Sequence, residues 1–292
     1  MSVLGLRIDV CTAEGLREGV PRLLDLLRSL GVRATFFVAM GPDRSGMAAL
    51  RVFRRRGFLQ KMMRTGAPRM YGLRTMLSGT LLPAPLTGAG SPDLLRRIRD
   101  EGHELGIHGW DHVLWHDGLP KMSRPAILRH LARAVEAFES ILGARPTCTA
   151  APAWVCSDAS LELQDALGFR FASDTRGRCP FRPLVAGRAL STVQIPVTLP
   201  TLDEVLGRDG ADADGFRRMI VERLSGTQVL TLHAEAEGRA YLDVADLLLR
   251  QAGRIVPLGE LAIGPAPACP IVHAEIPGRA GNVSIQSEGS RP

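Results

Sequence analysis

Two hydrophobic periods take turns along this chain. Short apolar runs, VLGLRIDV at 3–10, ATFFVA at 34–39 and HELGIH at 103–108, are each followed by a stretch in which apolar residues recur every three or four positions. These stretches are 16–30, 92–101 and 123–142, and their spacing predicts helices with one buried face. The alternation continues through TCTAA at 147–151, a helix over 159–167, FRFAS at 169–173 and VQIPV at 193–197. A helix near 214–224, QVLTLHA at 228–234, a helix over 244–252 and RIVPL at 254–258 complete it. Strands alternating with helices predict an α/β fold built on a mainly parallel sheet or barrel, with chemistry at the C-terminal ends of the strands.

Two regions break the pattern. Residues 41–91 hold nine Arg and Lys residues against Asp43 alone, a net +8 in a chain whose total is +6. Between 47 and 82 these basic groups interleave with Met, Leu and Phe, and five of the nine methionines fall there. That mixture predicts amphipathic helices facing an anionic membrane surface or a lipid phosphate, with a solvated basic face as the alternative. Few aromatics and no nucleic-acid motif accompany the charge, so nucleic acid is not an expected partner. The second region, 264–292, is rich in Pro, Gly and Ser without periodicity and is expected to be disordered. One domain over 1–263 is therefore expected, with the insertion inside it.

Five widely spaced cysteines with no CxxC pair argue against a disulfide framework. Neither a secretory leader nor a long uninterrupted apolar run is visible. A chain working in the cytoplasm, peripheral on the inner face of the inner membrane, is expected.

Candidate chemistry clusters at strand ends. GIHGWDH sets His108 and His112 four residues apart just after a strand, a spacing that lets two imidazoles converge on one ion. Asp9 and Cys11, two apart, point the same way, and His233 ends the run VLTLH. Each histidine has a bland alternative, a capping or edge role. His103 reads as structural, as do Trp110 and Asp111. His116 and His130 read as surface groups, and His273 as a coincidence.

In order, RIDVCT, HGWDH, AAPAW, SDTRG and LTLHAEAEG resemble the polysaccharide deacetylase family, whose NodB-type domain is a deformed (β/α) barrel. The opening GPDR of the insertion, IPVTLPTLDEVLGRD and HAEAEG resemble most the branch that deformylates 4-deoxy-4-formamido-L-arabinose linked to undecaprenyl phosphate. The resemblance implies metal-dependent amide hydrolysis of a lipid-linked amino sugar phosphate, freeing an amine used in lipid A modification and resistance to cationic peptides. It implies Asp9 as general base, His108 and His112 as metal ligands, His233 as general acid, Asp174 as the carboxylate tuning His233, and Arg176 as a group orienting the polar rim.

Two positions depart from the family pattern. Cys11 stands where the pattern has an acidic metal ligand, and a thiolate there favours zinc. Val155 stands where an arginine commonly orients the base, a duty Arg176 is expected to take. If Cys11 stays a thiol, two histidines alone remain, and the chain is an inactive lipid-sugar binder. A deacetylase of another N-acylated sugar is the further alternative.

Overall fold

A computed structural model describes residues 2–47 and 73–287. Much of the basic insertion therefore lies outside the described residues, including most of the stretch expected to form amphipathic helices.

Strand β1 (Val3–Val10) is the axis of the molecule. Its alternation looks like that of a half-exposed strand, yet every residue from Leu4 onward is buried. Leu4, Leu6, Ile8 and Val10 join the large core under the helices, whereas Gly5, Arg7 and Asp9 face the opposite way. Polar residues in a buried strand mark the inside of a barrel carrying charge at its rim.

Around β1 run parallel strands β2 (Thr35–Val38), β3 (Glu104–Ile107), β4 (Cys148–Thr149), β5 (Phe171–Ala172) and β8 (Val193–Gln194), in that order. On the other side of β1 lies β9 (Thr227–His233), with Asp9 in register with His233. Strand β10 (Arg254–Val256) pairs with the first residues of β1. The ring is completed without a regular strand pair: Thr198 and Leu199, beyond β8, donate to Val229 O at 3.2 and 3.1 Å. The parallel strands thus curl into a half-barrel, in keeping with the deformed (β/α) barrel expected from the sequence. Phe37, Cys148, Trp154, Phe171, Ile195 and Val229 fill its interior.

Helices α1 (Val20–Leu30), α2 (Leu73–Leu77), α3 (Pro92–Asp100), α4 (His112–Gly118), α5 (Arg124–Leu142) and α6 (Asp158–Ala166) fall in the first two-thirds of the chain. They are followed by α7 (Leu202–Val205), α8 (Ala213–Glu222) and α9 (Leu242–Gln251). Most of the predicted elements appear within a few residues of their expected limits. The helix expected from residue 16 is split, with a wide π turn over Gly15–Gly19 leading into α1. At Gly19 the chain passes so close to the loop after β9 that an added Cβ would stand 1.9 Å from Ala234 O.

The tail corrects one expectation. Expected to be disordered over 264–292, the tail carries strands as far as it is described, to residue 287: β11 (Ala268–Cys269) pairs with β6 (Arg182–Val185), which also forms a hairpin with β7 (Arg188–Ala189). Strands β12 (Ile271–Glu275) and β13 (Asn282–Gln286) form a second hairpin. Val283 is buried with the barrel filling, Gln286 N donates to Arg176 O at 2.8 Å, and Cys156 N donates to Ser284 Oγ at 3.0 Å. Short segments whose polar side chains satisfy backbone groups carry no hydrophobic period, which is why composition misread them.

Candidate metal and catalytic site

Asp9 sits near the end of β1, 2% exposed, and both its oxygens accept from one guanidinium: Arg7 Nε and Nη2, each at 2.7 Å. Arg7 is itself fully buried. Its remaining terminal nitrogen donates to Ser173 O and, at 3.1 Å, to Ser173 Oγ, and its plane lies 5.3 Å from the ring centres of Phe37 and Trp154. Burial would raise the Asp9 pKa, but Arg7, His108 and His233 outweigh it and hold the carboxyl at about 2. Asp9 is therefore an anion of fixed orientation.

Strand β3 delivers His108 to the same rim. Its Nδ1 is bound to Ala150 O at 2.9 Å, so the ring's proton is placed there and Nε2 is left facing Asp9 Oδ2, 3.8 Å away. Burial lowers its pKa to about 4 despite the nearby Asp9 charge, so the imidazole is neutral. Gly109 follows with φ +71°, which turns the chain so that His112, at the start of α4, comes back beside His108. The two rings lie 5.2 Å apart. A side chain at 109 would also meet His130 Cε1 at 2.9 Å.

Cys11, just past β1, completes the group: one donor atom each from Cys11, His108 and His112 lie within 4.8 Å of one another. Two imidazoles and a sulfur suit a soft divalent ion, whose bonds run about 2.0–2.3 Å, so these residues fit a metal after a small contraction. One feature opposes loading. Burial, Glu235 and Asp9 push the Cys11 thiol well above its ordinary pKa, and Cys11 N donates to Glu235 Oε2 at 3.5 Å. A metal ion must displace the thiol proton.

His233 closes the opposite side, across the ladder from Asp9. Burial lowers its pKa, while Asp203 and then Asp9 pull it upward. The carboxylate expected to tune it, Asp174, is engaged elsewhere: it accepts from Gln194 Nε2 at 2.9 Å and from Ala151 N at 2.6 Å. The largest upward pull on His233 comes instead from Asp203, at the start of α7. Arg176 does not reach Asp9 either. It donates to Glu204 at 3.1 Å and Leu199 O at 2.8 Å, with its plane 5.0 Å from Trp154.

Sequence reasoning thus brought Asp9, Cys11, His108, His112 and His233 to one rim, and missed Arg7, Asp203 and Arg279. Arg279, from the tail, lies 4.2 Å over Trp154 and donates to Glu204 at 2.9 Å. Arg7 had a signal: a charge at an inward position of a wholly buried strand demands a partner, and Asp9 is two residues on. His130, expected at the surface, is buried and accepts Asp111 N–H at 2.9 Å, steadying the loop between the histidines. Its place three residues after Ile127 and four before Ala134, both buried on α5, was the available clue. His116 is half-buried rather than a surface group.

Residues 2–172 match the family described as polysaccharide deacetylase. The chain belongs to that family. A protein of Shewanella sediminis (strain HAW-EB3) named "Probable 4-deoxy-4-formamido-L-arabinose-phosphoundecaprenol deformylase ArnD" is 36% identical over 97% of this chain and 94% of its own length. Among solved structures, a probable polysaccharide deacetylase from Pseudomonas aeruginosa PAO1 superposes with a TM-score of 0.58 at 16% identity, covering 89% of each chain. A structure described as a CE4 family pseudoenzyme from Bacillus anthracis superposes with a TM-score of 0.53 at 15% identity, over 91% of this chain and 66% of that one. Likeness of fold carries no activity with it, so activity has to be argued from the site.

Proposed function

We propose that this chain hydrolyses the formamide of 4-deoxy-4-formamido-L-arabinose linked to undecaprenyl phosphate, releasing formate and the free amino sugar. The similarity to the Shewanella protein, which runs through 97% of this chain, supports the substrate. The observation that carries the chemistry is the oriented Arg7–Asp9 pair standing beside the Cys11, His108 and His112 donors.

Cys11, His108 and His112 would hold one zinc ion, and such an ion acidifies water and withdraws charge from a carbonyl oxygen. That chemistry is needed, because a carboxylate held near pKa 2 is a weak base for unassisted water. Asp9 accepts the proton of the attacking water, and Arg7 keeps both carboxylate oxygens pointed into the site. Expulsion of the amine requires a proton on nitrogen. His233 is neutral at rest, so it must be charged before it donates. Asp203 and Asp9 raise its proton affinity, and the proton taken by Asp9 is the nearest source.

The reading also places the chain peripherally on an anionic membrane, where its substrate resides. Among the described residues no helix is long and apolar enough to cross a membrane. Leu81 is 81% exposed beside exposed Leu77, Leu82 and Leu86, at the edge of the basic insertion.

A second reading, an inactive lipid-sugar binder, is favoured by the protonated Cys11–Glu235 contact and by Val155. Formate release and metal content, measured together on the wild type, Cys11→Ala and Cys11→Asp, separate the two. The deformylase reading expects about one metal per wild-type chain, formate release, and loss of both in Cys11→Ala. Wild type that holds little metal and releases no formate would establish the binder. Full occupancy in Cys11→Ala would remove Cys11 from the ligand set.

A further inference from the structure

Beside the irregular closure of the ring lies a cavity of 670 Å³ that the hydrolytic chemistry does not use. It is bounded by the segment after β8, the chain joining α7 to α8, and the tail hairpin. Four arginines line it, Arg176, Arg178, Arg208 and Arg223, against two acidic residues, Glu204 and Asp209. Glu204 is already matched twice, by Arg176 at 3.1 Å and by Arg279 at 2.9 Å, and Arg178 has interactions of its own, so Arg208 and Arg223 stand against Asp209 and the cavity keeps a positive excess. The remaining walls are largely apolar, among them Val197, Val205, Met219, Ile276 and Ile285.

Such a lining suits neither a free anion nor a plain hydrocarbon. Guanidinium forks match phosphate oxygens two at a time, and apolar walls gain only from an apolar neighbour on the same ligand. We propose that this cavity binds an amphiphilic phosphate ester, with Arg208 and Arg223 on the phosphate and the apolar walls on the first units of its chain. The proposal rests on the deformylase reading only for the lipid origin of the phosphate. Arg176 lines the cavity and also lies against Trp154, whose ring carries Arg7, so a ligand held there is one contact chain away from Asp9.

The test is calorimetric titration of the full chain with farnesyl phosphate, farnesol and inorganic phosphate, none of which contains an amide. We expect farnesyl phosphate to bind, farnesol to show no heat, and inorganic phosphate to bind at least tenfold more weakly. In Arg208→Ala/Arg223→Ala, farnesyl phosphate should lose at least tenfold in affinity. Arg223→Glu, a single change at an exposed position, guards against misfolding of the double variant and should lose as much. Unchanged affinity in both variants, or no binding by wild type, overturns the site. Inorganic phosphate binding as tightly as farnesyl phosphate overturns the lipid source. Because no formate is measured, either failure leaves the deformylase reading standing on its own assay.

Discussion

Arg7 lies in the barrel interior with no solvent contact, and its charge is balanced by Asp9 at two 2.7 Å contacts. Removing one member of such a pair leaves a buried charge alone, so Arg7→Met should cost about 3–5 kcal/mol of stability, read by urea unfolding. Arg7→Lys should leave activity low, because a single ammonium cannot hold both carboxylate oxygens in plane. At the other side of the site, Asp203 raises the pKa of His233. Asp203→Asn should therefore move the His233 titration toward lower pH, seen by NMR of the imidazole, while Asp174→Asn leaves it in place. Glu237 gives a stability test. Burial raises its pKa from 4.5 to about 8, so the folded chain keeps a proton that the unfolded chain loses. Its presence thus erodes stability as pH climbs from about 4.5 to about 8, by at most about 1.4 kcal/mol per pH unit. Glu237→Gln should gain stability over wild type across that window and run parallel to it above. The polar residues at strand ends were legible in sequence because a strand's period shows which face each occupies. Asp203 was not, since it lies thirty residues from His233 in an irregular stretch.

At the level of elements, close approach governs what the helices tolerate. The π turn entering α1 rests on Ala234 O at Gly19, so Gly19→Ala should displace the loop that follows His233, lowering both the thermal midpoint and activity. The tail hairpin makes a contrasting case. Truncation after Ile263 would be harmless to a chain with a disordered tail. Here it removes Val283 from the barrel filling and Arg279 from Glu204, and it should yield a protein with a lower unfolding midpoint and a loosened α7. Helices with strong apolar periods and the longer strands could be placed from sequence, since burial imposes a 3.6 or a 2.0 repeat. Two-residue strands such as β4 and β5 showed only as parts of longer apolar runs, and the β6–β7 and β12–β13 hairpins lie among prolines and glycines with β7 and β12 largely exposed, so no buried period marked them.

For the molecule as a whole, the sequence sets the basic residues of the insertion directly before the exposed leucines at 77, 81, 82 and 86. Binding to vesicles containing anionic lipid should be strong at low salt and fall as screening shortens the reach of each arginine to about 8 Å at physiological ionic strength. Co-sedimentation that is absent at low salt would remove the membrane placement. Parallel strands converging at one rim made the site's general location readable from sequence, whereas the ring closure at Thr198 and the arginine cavity beside it depend on loops that carry no pattern.

Trp154 touches the guanidinium planes of Arg7, Arg176 and Arg279, contributed by the first strand, the middle of the chain and the tail. The chain has three tryptophans, and the other two, Trp110 and Trp115, sit against Arg133 and His130. Light emitted by one indole therefore carries a distinct electrostatic signature of an assembled rim. In a variant keeping only Trp154, emission wavelength and quenching would act as a built-in gauge of whether the three distant segments have come together, before any substrate is added.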